Sequence, residues 1–224
     1  MLGVSGQPGL SGERFRWIEA DLLQLAAVAH ISQTASQLDA IICAAGVQHT
    51  APPRALDHGF GRQMWQLHVD GPTRLVDALV PRLVDGGRVV VIGSRTSSGA
   101  AGKSQYAATK AAVAGLTRSW AMGLARRITV DVVAPGPTET AMLEDLARVS
   151  TPPRLPPPDR YVQPDEVAGV VALLRCRPAA EERVRRARSG RRSCPEPRTG
   201  GSSAGLPTGF VSSPSPVASG CRTP

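Results

Sequence analysis

The stretch VVVIGSRTSSGAAGKSQYAATKAAVAGLTRSWAMGLARRITVDVVAPGPTET (89–140) decides the fold. With Arg88 it opens as RVVVIGS (88–94), an apolar, β-branched run closed by small residues, which reads as a strand buried on both faces. QYAATKAAVAGLTRSWAMGLA (105–125) follows and predicts a helix, because Ala has the highest helix propensity. ITVDVVAP (128–135) is a second buried strand, stopped by Pro135. Strand, long helix, strand is a βαβ unit, and such units build parallel sheets.

Working outward, the same alternation continues on the amino side. LDAIICAAG (38–46) reads as a buried strand running into a tight turn, residues 24–37 as a helix, and FRWIEADLL (15–23) as a short strand around Phe15–Ala20. Past Pro52 and Pro53, residues 60–84 place Trp65, Leu67, Leu75, Leu79 and Leu83 at mostly helical spacing, ended by Gly86-Gly87. Pro72 and Pro81 should bend or interrupt that helix. On the carboxyl side a loop with six prolines (149–164) leads to DEVAGVVALL (165–174), a helix opened by two acids.

The expected organisation is a flexible, Gly-rich segment over 1–14, one α/β domain over 15–174, and a disordered tail over 175–224. The tail holds 21 Gly, Pro or Ser in 50 residues, too little apolar surface to offset its ordering entropy. Its ten Arg and three Glu account for nearly all of the net charge of +8. The preceding 174 residues carry sixteen basic and fifteen acidic side chains, so the domain has no basic stripe and nucleic acid is not the expected partner. No apolar run approaches the ~20 residues of a membrane span, and no secretory signal opens the chain. Four cysteines without a CxxC pair and four scattered His fit a reduced, cytoplasmic protein with no metal site.

Tyr106 and Lys110 stand four apart, on one face of the predicted helix. A free phenol titrates near ~10, and an adjacent ammonium favours the phenolate. A tyrosine tuned in this way can give a proton to a carbonyl oxygen or take one from an alcohol. Ser94, at the carboxyl end of its strand, can hydrogen-bond the same oxygen; catalytic groups of open α/β sheets collect at those ends. Ala44-Ala45-Gly46 and Pro135-Gly136-Pro137-Thr138-Glu139-Thr140 close two further strands with small or hydroxyl residues that let a flat cofactor approach the backbone.

In the order strand–Ser–YxxxK–helix–strand–PGxxxT, residues 89–140 resemble the catalytic half of a short-chain dehydrogenase/reductase, and the resemblance runs from about Phe15 to Leu174. It implies a Rossmann-like parallel sheet with helices on both faces. It also implies NAD or NADP as cofactor, a small carbonyl or alcohol substrate, and a homo-oligomer. By position Tyr106 is the general acid-base, Lys110 its partner and the holder of the nicotinamide ribose, and Ser94 orients the carbonyl, with Ser97 as the weaker alternative. Asp21 and Leu22 fall where the family contacts adenine. Ala44, Ala45 and Gly46 fall on its Asn-Asn-Ala-Gly turn, and Pro135, Gly136, Thr138 and Thr140 on the loop that meets the nicotinamide amide and pyrophosphate.

Three departures stand out. His68, in Leu67-His68-Val69-Asp70-Gly71, replaces an Asn that supports a water relay to the Lys, so it is expected either to hold a water or relay a proton, or to be a helix His satisfied by its neighbours. No T-G-x-x-x-G-x-G run precedes Asp21; Gly3, Gly6, Gly9 and Gly12 have the wrong spacing and no preceding strand, so the sheet is expected to be incomplete, without its first βαβ unit. After residue 174 the family's last strand is also absent from the sequence, and a reading-frame slip near codon 175 would produce the abrupt change of composition. Two readings follow: an oxidoreductase, or a truncated, non-catalytic relative that keeps only its oligomerisation surfaces.

Overall fold

A computed structural model describes residues 1–5, 13, 15–144, 155–157 and 159–176. Its elements are β1 (Leu2–Ser5), β2 (Arg16–Glu19), α1 (Leu25–Thr34), β3 (Leu38–Cys43), α2 (His58–Trp65) and α3 (Gly71–Leu79), then β4 (Leu83–Ile92), α4 (Ser104–Leu124), β5 (Thr129–Val133), α5 (Ala141–Glu144) and α6 (Pro164–Cys176). β3, β4 and β5 form a parallel sheet with β4 in the middle, Ile41 level with Val89 and Val89 with Val130. This is the arrangement that the 89–140 stretch predicts.

Alternation along the strands sends two sets of side chains to opposite faces. Ile41, Cys43, Val89 and Val91 pack with Ile31 of α1, Leu75, Val76 and Leu79 of α3, and Val113 of α4. Val90, Ile92 and Val133 face the other way, against Val171 and Leu174 of α6. Helices therefore cover both faces, but unequally. Ile42, level with Val90 on the α6 side, is 43% exposed.

Several boundaries differ from the sequence reading, each for a local reason. The helix expected over 60–84 is α2, a π turn over Gln66–Asp70, α3 and a 3-10 turn over Val80–Arg82. Pro72 has no N–H to give the His68 carbonyl, so the α ladder cannot pass that point unbroken; Gly71 N–H bonds Gln66 O, one residue further back than in an α-helix. The helix does not run on to Gly86-Gly87. β4 already begins at Leu83, paired with Leu38, and the two glycines sit in a register shift before Arg88 pairs with Ala40. Gly86 has φ +81°, a conformation that Gly adopts without strain.

The flexible segment expected over 1–14 is corrected for its first residues. Leu2–Ser5 form a strand that runs parallel to β2, with Ala20 N–H donating to Ser5 O at 3.0 Å and Trp17 Nε1 to Ser5 Oγ at 2.9 Å. Leu2 and Val4 pack on the same core as Ile18 and Ile41. No ladder joins β1–β2 to β3–β4–β5 among the described residues. Gly6, Gly9, Gly12 and most of the 175–224 tail lie outside them. No described helix is long and apolar enough to cross a membrane.

Candidate active site

The site is built at the carboxyl end of β4. A Cβ on Gly93 would stand 2.8 Å from Val132 Cγ2, so the glycine lets β4 and β5 close here without displacing that side chain. The ladder then continues past both strands: Gly93 N–H donates to Val133 O at 2.7 Å and Arg95 N–H to Pro135 O at 3.1 Å. Ser94 is fixed between these two bonds. It is part-buried, its Oγ accepts from Thr96 N–H at 3.1 Å, and it starts a 3-10 turn over Arg95–Ser98 along which α4 packs. Ser97 lies within that turn rather than at the strand end.

α4 buries Tyr106, Thr109 and Lys110 on one face, the i, i+3, i+4 pattern of a helix side. Tyr106 is 8% and Lys110 5% exposed. Lys110 Nζ lies 5.8 Å from the centre of the Tyr106 ring and donates to Ile92 O, the last carbonyl of β4, at 2.9 Å. Burial pushes the Lys110 ammonium down to about 8, so it remains a cation at neutral pH.

His68 is brought to the same place by the π turn. Its Nε2 accepts from Val47 N–H at 3.0 Å, just beyond the Ala44-Ala45-Gly46 turn, and its Nδ1 lies 2.8 Å from Thr109 Oγ1. The Tyr106 ring meets the imidazole edge-on at 5.6 Å between centroids. Burial, then the charge of Lys110, push His68 down to about 3, so the imidazole is neutral. A Cβ on Gly46 would stand 3.2 Å from His68 Nε2 and 3.7 Å from Lys110 Nζ, which places that turn beside both groups.

The remaining sequence-named residues line the same edge or its flank. Ala44 and Ala45 are exposed beyond β3. Thr138 Oγ1 donates to Gly136 O at 3.1 Å and Thr140 Oγ1 to Thr138 O at 3.4 Å, folding the loop after Pro135 on itself. That loop is clasped to the start of α6 by Glu139 N–H to Val162 O and Val162 N–H to Pro137 O, both 2.9 Å. A two-pronged Arg160–Glu166 pair at 2.7 Å braces the clasp. Asp21 and Leu22 follow β2, on the other ladder. Asp21 Oδ1 accepts from Leu23 N–H at 3.0 Å, and Leu22 packs near Gly71.

Two contributors went unnamed in the sequence reading: Thr109, and the Ile92 carbonyl that Lys110 binds. Thr109 carried one usable signal, a hydroxyl three residues after Tyr106 and hence on its face. A recess of about 510 Å3, lined by residues such as Ser36, Arg82, Asp85 and Arg127, lies at the opposite, amino end of β4. Ligands of open parallel sheets bind at the carboxyl ends, so its size does not make it the site. Among the described residues no cluster of three or more His, Cys, Asp or Glu could hold a metal ion.

Residues 9–150 match the family model described as short chain dehydrogenase. The chain is 32% identical over 154 residues to the 3-oxoacyl-(acyl-carrier-protein) reductase of Thermotoga maritima, covering 66% of this chain and 62% of the reductase. A short-chain dehydrogenase from Burkholderia cenocepacia J2315, solved in complex with NADP, superposes with a TM-score of 0.63 at 28% identity, over 72% of this chain and 69% of that one. A family member from Francisella tularensis, at 24% identity, shares the fold with a TM-score of 0.70 over 77% and 78%. With the first three curated relatives, the matched region spans 62%, 64% and 58% of their length.

Proposed function

The chain belongs to the short-chain dehydrogenase family, and on that premise we propose that it is an NAD- or NADP-dependent oxidoreductase acting on a small carbonyl or secondary alcohol. The observation that carries this reading is the burial of Tyr106 and Lys110 together, one helical turn apart, beneath the strand end that presents Ser94. A bound nicotinamide would supply the hydride chemistry. In the reducing direction the Tyr106 phenol gives its proton to the substrate oxygen, and the Lys110 cation stabilises the phenolate left behind. Ser94 donates to the same oxygen and sets its orientation.

The residues present fit the nicotinamide half of the cofactor. Lys110 has three N–H donors and spends one on Ile92 O, leaving two for ribose hydroxyls. The loop Pro135, Gly136, Thr138 and Thr140 offers backbone and hydroxyl groups to the amide. Ala44, Ala45 and Gly46 allow close approach, and Asp21 with Leu22 would meet the adenine. His68 adjoins this constellation through Val47 and Thr109. For the pyrophosphate, the described residues hold no glycine-rich turn leading from a strand into a helix N-terminus, the usual cradle.

The reading is tested with Tyr106→Phe. Both NADH and NADPH are assayed against a panel of ketones and 3-oxoacyl thioesters. Unmodified protein should turn over at least one substrate, and the variant should lose turnover by a factor of ~10²–10⁴ with its circular dichroism unchanged. Equal turnover in the two proteins would remove Tyr106 from its role.

A second reading is a non-catalytic relative that assembles through α2 and α4. It draws on the separation of β1–β2 from β3–β4–β5, and on the exposure of Phe60, Trp65 and Met122 on those helices. It predicts no calorimetric heat with either nucleotide, together with a dimer or tetramer in sedimentation.

A further inference from the structure

The hydrogen bonds around His68 fix where its proton sits. Val47 N–H donates to Nε2 at 3.0 Å, and Nε2 must be unprotonated to accept it. A neutral imidazole with a bare Nε2 carries its hydrogen on Nδ1. The 2.8 Å contact with Thr109 is then Nδ1–H donating to Oγ1, which leaves the Thr109 hydroxyl to donate to Tyr106 O, also at 2.8 Å. One directional bond selects the tautomer, and the geometry around Thr109 accommodates it. Every hydrogen in the chain Val47 N–H, His68 Nδ1–H, Thr109 Oγ–H points the same way, ending on the Tyr106 carbonyl. Both ring nitrogens are used, and the side chain is 1% exposed.

From this chain we propose that His68 is a positioning residue, locked as the neutral Nδ1–H tautomer, which struts the turn after β3 against the Tyr106–Lys110 segment of α4 and carries no proton in the reaction. The proposal deepens the dehydrogenase reading and rests on it for the word positioning; the tautomer and the strut stand on the hydrogen bonds alone. A proton relay through His68 would need one ring nitrogen to exchange its partner. Doubly protonated imidazolium would turn Nε2 into a donor facing the Val47 donor. The titratable groups that face the ring are Lys110 and Tyr106, both from α4, and the ammonium also opposes a second cation. The strut sets the depth of the site: it holds Gly46 against Lys110 Nζ and ties the helix backbone at Tyr106 to the β3 side of the sheet.

The test reads the ring directly, without turnover. In full-length protein carrying 15N-labelled histidine, one of the four imidazoles should show a protonated Nδ1 and a bare Nε2, with shifts constant from pH 5 to pH 9. Loss of that signal in His68→Gln assigns it. An Nε2–H tautomer, or a His68 signal that titrates in this range, would overturn the proposal. The second readout is exchange of the Val47 amide. In His68→Leu it should speed up by at least tenfold. In His68→Gln, whose Oε1 can take the place of Nε2, it should stay within threefold of the unmodified protein. A Val47 amide indifferent to His68→Leu would sink the strut. If the tautomer is found but the unmodified protein turns over no substrate with either nucleotide, the strut stands and the dehydrogenase reading falls.

Discussion

Lys110 shows how one buried residue couples the site to stability. The residue is 5% exposed, the hydrogen bond its ammonium makes is to the neutral carbonyl of Ile92, and burial lowers it to about 8 from an ordinary 10.5. Between those two values the unfolded chain keeps a proton that the folded chain has released. Stability should therefore rise with pH across roughly pH 8 to 10.5, by at most about 1.4 kcal/mol per pH unit; below pH 8 the buried charge carries its full cost. Denaturant unfolding at pH 7.5, 9 and 10.5 should show this rise in the unmodified protein and a flatter profile in Lys110→Met. Parallel profiles would mean that the ammonium is better solvated than the geometry indicates. Residue chemistry was only partly legible in the sequence. The Tyr106–Lys110 spacing could be read because a helix has a fixed period. The lock on His68 could not, because Val47 and Thr109 are 21 and 41 residues away and meet it only through the fold.

At the scale of elements, the close approach at the end of β4 is the feature most open to a mutational test. Gly93→Ala would place a methyl 2.8 Å from Val132 Cγ2, and overpacking of that kind costs about 1–3 kcal/mol. Melting should fall by roughly 2–4 °C per kcal/mol, and Ser94, one residue on, should lose its position and with it turnover. Adding Val132→Ala removes the opposing methyl from a side chain that is 40% exposed and should recover most of the melting temperature. An unchanged melting temperature in the single variant would show that β5 yields freely here. The central strand could be read because the β-branched run Val89–Ile92 is unambiguous, whereas β5, expected to be buried, is an edge strand with Val132 40% exposed. The break in the 60–84 helix was foreseeable from Pro72 and Pro81, but its form was not. A proline withholds one N–H, and the ladder closes the gap through the Gly71 N–H to Gln66 O bond, which no local pattern specifies.

For the molecule as a whole, the governing fact is that two ladders share one core. β1–β2 and β3–β4–β5 are not joined by backbone hydrogen bonds among the described residues, yet Leu2, Val4, Ile18, Ile41 and Val89 belong to one apolar cluster. The apolar pattern of Val89–Val91 announced a buried strand, whereas LGVS at 2–5 is too short and Gly-rich to announce anything; its pairing with β2 depends on contacts the local sequence does not encode. A two-stranded ladder held mainly by side-chain packing should open more easily than a three-stranded one whose central strand is paired on both sides. Hydrogen exchange under native conditions should therefore separate them. Amides of β4, Val89 to Val91, should exchange only by global unfolding, with a denaturant dependence equal to that of the whole domain. Amides of β1–β2 hydrogen-bonded across the ladder, Ala20 among them, should exchange through a smaller opening that exposes less surface, at least tenfold faster. A common rate and a common denaturant slope would show that the shared core alone binds both ladders into one cooperative unit. The site at the end of β4 would then share in every global fluctuation of the sheet, rather than standing on its most protected part.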